Sequence, residues 1–97
     1  MAGKVYITEY GDVRAAMAFE PPITTQTITT GGTSTQSSAF NANTKLIRVH
    51  AATIVSALVG TNPTADTNSP RFAAGQTEYF HLPTNGSQYK IAAIDNT

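Results

Sequence analysis

An all-β fold is predicted by three features of this 97-residue sequence. Threonine is its commonest residue, while charged residues make up only 12%, against a typical ~25%. The seventeen-residue stretch Thr44–Gly60 is apolar, rich in β-branched residues and free of proline. Two glycine-containing turn signals, Gly31-Gly32 and Asn85-Gly86, each separate runs of strand-favouring residues.

The central stretch admits two structures. Ile47, Ala51, Ile54 and Leu58 fall at helical spacing, with Asn43 or Thr44 as a cap and Gly60 as a stop. Strand is favoured because Ile47, Val49, Thr53, Ile54, Val55 and Val59 are β-branched, which suits a pleated surface and restricts side chains in a helix. Seventeen residues exceed a usual strand length, so the chain must fold back near Ala51 and Ala52. A central hairpin is expected there.

Before it, Lys4–Tyr10 alternates Val5, Ile7 and Glu9 with Tyr6, Thr8 and Tyr10, the period of a strand. Gly11 ends it. Asp12 is a candidate cap for a short helical turn over Val13–Phe19, where Ala15, Ala16 and Ala18 favour helix, and Pro21-Pro22 stops it. Residues 1–20 therefore form either an N-terminal arm or a first strand with a helical turn, and residues 21–97 form the β domain. Ile23–Phe40 places threonine runs on both sides of Gly31-Gly32, which predicts an edge hairpin. Its alternative is a flexible linker.

After the centre, Thr61–Gly75 gathers Asn, Pro, Asp, Ser and Gly, and reads as a loop from which Phe72 tucks back onto the core. Asn85-Gly86 predicts a two-residue hairpin with Phe80 opposite Ile91 and Leu82 opposite Tyr89. One face then carries Phe80, Leu82, Tyr89 and Ile91 toward the core; the other carries Tyr79, His81, Lys90, Ala92 and Ile94. Pro83, which has no N–H to donate, assigns this strand to a sheet edge. The expected architecture is a small antiparallel sandwich of hairpins, the central one packed on the C-terminal one, with threonine-rich edge strands.

Composition limits function. Six basic and six acidic residues give zero formal charge, and no basic run is present to neutralise phosphates or dock on an anionic membrane. Without cysteine, thiolate metal sites and disulfides are excluded. No segment reaches the ~20 apolar residues of a membrane span, and the N-terminus has no signal-peptide core. His50 and His81 lack ligand-spaced partners. The serines form no nucleophile elbow, the acids are scattered singly, and there is no phosphate-cradling glycine loop. Neither an enzyme nor a bound cofactor or metal is expected. A chain this short buries only about 60–65% of its unfolded surface, and its weakly charged exterior suits coverage in an assembly.

Ser37–Ile94 resembles the small β-sandwich structural proteins of tailed bacteriophages. The residues concerned are SSAFNANTKLIRVHA, LVGTNPTA, FAAGQTEYFHLP and YKIAAI. The resemblance implies a non-enzymatic virion component, a capsid decoration or cement protein, assembled in the host cytoplasm. Its partners would be the major capsid protein, other virion proteins or further copies of itself, with neither nucleic acid nor membrane. The alternatives are a head or tail accessory protein, or a carbohydrate-binding module stacking sugars on Tyr79, Tyr89 or Phe80. The concentration of large apolar groups before the matched region makes Val5, Tyr6, Ile7, Tyr10, Met17 and Phe19 the candidate partner-binding residues.

Overall fold

The computed structural model describes residues 3–11, 13–14, 17–18, 23–82 and 86–96. Its strands are β1 (Lys4–Tyr10), β2 (Val13–Arg14), β3 (Met17–Ala18), β4 (Thr24–Thr29), β5 (Thr35–Gln36), β6 (Leu46–Ala51), β7 (Val55–Gly60), β8 (Arg71–Phe72), β9 (Thr77–His81) and β10 (Lys90–Asp95). Apart from a 3-10 turn at Gly86–Gln88, no helix occurs among the described residues, so none could cross a membrane. Two four-stranded sheets, ordered β4-β1-β6-β9 and β5-β10-β7-β8, pack as a small sandwich. All their ladders are antiparallel.

Alternation builds the core. Val5, Ile7 and Glu9 of β1 point inward with Val49, Ile47 and Ile28, and meet Val55, Ala57, Ile91 and Ala93 of the second sheet. Phe40 and Leu82 close the ends of this cluster, and Phe72 returns from the long loop to pack against Phe80 with ring centroids 6.4 Å apart. A hydroxyl links the layers: Thr30 Oγ1 accepts the Gly3 N–H at 3.2 Å and donates to the Asp95 carboxylate.

Of the two readings of the N-terminal segment, Lys4–Tyr10 takes that of a first strand. β1 lies inside its sheet, hydrogen-bonded to β4 on one side and β6 on the other. The helical turn expected after Gly11 is replaced by the two-residue ribbon β2–β3; Asp12, Ala15, Ala16 and Phe19 lie outside the described residues.

The hairpins are also corrected. β6 and β7 do reverse between Ala51 and Val55, but β6 belongs to the first sheet and β7 to the second. Likewise β4 and β5, on either side of Gly31-Gly32, lie in different sheets, as do β9 and β10. The central and C-terminal segments exchange partners: β6 pairs with β9 and β7 with β10, so Phe80 stands opposite Ile47 and Ile91 opposite Val59. Pro83, Thr84 and Asn85 lie outside the described residues. A turn signal specifies reversal, but the returning strand can lie beside its predecessor, about 4.8 Å away, or across the core, about 10 Å away.

Side-chain facing does not depend on that choice. Leu82 and Ile91 are buried, Phe80 and Tyr89 pack on the core, and Tyr79 and His81 are exposed. Ala92, expected outside, is buried as well. The threonine-rich β4 and β5 are edge strands, as is β9.

The turn entering β9 needs one left-handed residue. Gly75 has φ +83°, and its N–H reaches Ala51 O at 2.8 Å while Gln76 N closes on Ala73 O at 3.0 Å. Gly75→Ala is expected to lower stability by about 1 kcal/mol, the cost of a Cβ in this conformation. Urea titration of both proteins measures the difference.

Candidate functional site

The outward positions of the first sheet form one face, a platform. Alternation and register set them in rows: Thr29 beside Lys4; Thr27, Tyr6, His50 and Thr77; Thr25, Thr8, Arg48 and Tyr79. A fourth row, Tyr10, Leu46 and His81, ends the face, with Tyr10 and Leu46 buried and His81 exposed. Tyr6 is 43% and Tyr79 56% exposed. Strand spacing and rise separate their Cα atoms by about 12 Å.

Charge is segregated although the chain is neutral. Lys4 and Arg48 lie on the platform, whereas the carboxylates of its strands, Glu9 and Glu78, occupy the alternate positions that point away from it. His50 is held in place: its Nδ1 lies 2.7 Å from Thr77 Oγ1, and its ring is 6.4 Å from that of Tyr6, tilted by 39°. Two exposed rings, hydroxyls at Thr8, Thr25, Thr27 and Thr29, and the cationic Lys4 and Arg48 make up this face.

Only part of the sequence-based site lies here. Tyr6 is on the platform, but Val5, Ile7 and Tyr10 are buried and offer no surface to a partner. Met17 belongs to β3, and Phe19 lies outside the described residues. Arg48, His50 and the β4 threonines were missed, because facing alone does not unite residues from β1, β4, β6 and β9; that requires the register. Of the proposed stacking residues, Tyr79 is exposed, whereas Phe80 and Tyr89 pack on the core.

Two cavities are also present. An apolar slot of about 310 Å³ opens between the sheets, lined by Leu58, Val59, Pro70, Phe72, Phe80 and Ile91. A shallower polar cleft of about 360 Å³ lies over Glu9, Thr24, Gln26, Ser38 and Asn41. Glu9 is fully buried there. Its Oε1 accepts the Asn41 N–H and the Thr44 hydroxyl, both at 2.8 Å, and its Oε2 accepts Gln26 Nε2 at 3.0 Å. Gln26 is fixed in turn, its Oε1 accepting the Ser38 N–H at 2.9 Å. With its oxygens engaged, Glu9 clasps β1, β4 and the 38–44 segment together.

His50 and His81 are not neighbours, His50 standing opposite Thr77 and His81 opposite Leu46. Among the described residues, no three of His, Cys, Asp and Glu gather at metal-binding distance. No family model, curated protein or solved structure matches this chain.

Proposed function

We propose that this chain is a non-enzymatic structural protein of a phage virion, a capsid decoration or cement protein that docks through the outer face of its first sheet. The observation that carries this reading is the platform of Tyr6, Arg48 and Tyr79, on which no carboxylate lies among the described residues. Burial of its side chains across the joints of a repeating shell would add stability without any chemical step. The resemblance of Ser37–Ile94 to small virion sandwiches supports the choice of a capsid, with the major capsid protein as partner and the particle as location.

A second reading draws on the same two tyrosines. Two tyrosines with Cα atoms about 12 Å apart, with threonine hydroxyls, Arg48 and His50 beside them, also suit a polysaccharide laid across the face. A glycan array separates the two.

The docking reading is tested by locating the protein in gradient-purified particles and measuring rebinding to particles stripped of it. Tyr79→Ala and Arg48→Glu are each expected to weaken binding about tenfold or more, the scale of interface hot spots. Both should leave the urea midpoint nearly unchanged. Undiminished binding by the double variant would reject this face, and absence of the protein from particles would reject the virion assignment.

A further inference from the structure

We infer that β4 is a self-pairing edge, through which two copies of this chain join their first sheets into one continuous antiparallel sheet. The inference is independent of the docking reading, resting on the unpaired side of β4 rather than on the platform.

Among the described residues the main chain of β4 (TTQTIT) forms a ladder with β1 alone, in a register that places Thr29 against Lys4 and Thr25 against Thr8. Thr30 N bonds Gly3 O at 2.8 Å, so the bonded pairs fall at alternate residues, on Ile28, Gln26 and Thr24. The main-chain N–H and C=O of Thr25, Thr27 and Thr29 therefore point outward. All three residues are exposed, and their main-chain groups have no partner among the described residues.

Sheet edges are ordinarily blunted by shortness, by charge or by proline. In this fold β5 and β8 are two residues long, and β9 carries Glu78. β4 has six residues, no charge, no proline and no break in its ladder to β1. A long neutral edge of this kind is a template for another strand.

A second copy fits because the strand is self-complementary. Antiparallel pairing about a two-fold axis at Thr27 sets Thr27 opposite itself and Thr25 opposite Thr29, so every outward N–H meets an outward C=O. Threonine pairs are favourable cross-strand neighbours, and no like charges oppose each other at the seam. Thr25, Thr27 and Thr29 of both copies would lie on the platform side, making the two outer faces continuous across the axis.

Since this seam buries little surface, the free dimer should be weak, with a dissociation constant on the order of 0.1 mM or above. Disulfide trapping reads such an equilibrium, and the chain has no native cysteine to confuse it. Bonded antiparallel pairs hold their Cα atoms about 5.5 Å apart, within disulfide reach. Thr27→Cys is expected to give a covalent dimer under mild oxidation. Thr29→Cys alone should remain monomeric, whereas mixing it with Thr25→Cys should give a heterodimer. Sedimentation of the cysteine-free protein should show a mass rising with concentration, and Thr27→Lys, exposed and so expected to fold, should abolish that rise. Failure of Thr27→Cys to cross-link, equal trapping by Thr29→Cys alone, or a dimer that survives Thr27→Lys would overturn the inference. So would trapping of Thr27→Cys only by a foreign protein in particles.

Discussion

Replacing Glu9 with glutamine is expected to lower the stability of the fold by about 2–3 kcal/mol, the cost of leaving buried polar groups without partners. The carboxylate oxygens accept from three donors, the Asn41 N–H, the Thr44 hydroxyl and Gln26 Nε2. A glutamine side chain must turn an NH₂ group toward at least one of them. Flipping the Gln26 amide would relieve one clash, but its Oε1 is held by the Ser38 N–H at 2.9 Å and its Nε2 lies 3.3 Å from Ser38 O. The frustration therefore passes along the clasp instead of being absorbed. The double exchange Glu9→Gln/Gln26→Glu restores an acceptor facing a donor and should recover about 1 kcal/mol or more, a coupling that two independent losses would not show. Urea unfolding of the two single variants and the double variant measures it. A Glu9→Gln protein within about 0.5 kcal/mol of the original would mean that the clasp contributes little to the fold.

This clasp was half legible in the sequence. The period-two reading of Lys4–Tyr10 put Glu9 on the same side as Val5 and Ile7, which is where it lies. Glu9 nevertheless passed as one of several scattered acids, because its donors, at Gln26, Asn41 and Thr44, come from elsewhere in the chain. Alternation is local, so it gave the strands and the facing of Phe80, Leu82 and Ile91 correctly. Pairing is not local. Gly31-Gly32, the Ala51–Ala52 reversal and Asn85-Gly86 each predict neighbours in one sheet, whereas the strands flanking each of the three lie in different sheets. The same limit explains the site. Val5, Tyr6, Ile7 and Tyr10 were grouped by size, but the fold separates them by facing and depth, leaving Tyr6 to join Arg48 and Tyr79 on a surface that only the register assembles.

Deleting residues 1–10 is expected to abolish folding. β1 is hydrogen-bonded on both sides, so its removal unpairs β4 entirely and frees one edge of β6. Val5, Ile7 and Tyr10 are buried; at about 1.5–3 kcal/mol for each large apolar side chain, their loss removes roughly 5–9 kcal/mol before the hole they leave is considered. A domain of this size has only about 5–15 kcal/mol in total. The deletion also takes Glu9, and with it the acceptor that holds Gln26 and the 41–44 turn, and Gly3, which meets Thr30. The truncated chain should give a collapsed amide spectrum and no cooperative urea transition. Adding a synthetic peptide of residues 1–11 in excess should restore both in part, because the slot between β4 and β6 has a specific register to refill. An arm would behave in the opposite way: the remainder would keep its dispersed spectrum and sharp transition, and the peptide would change neither. Retention of both by the truncated protein would therefore remove β1 from the core and reopen the N-terminal segment as a contact surface.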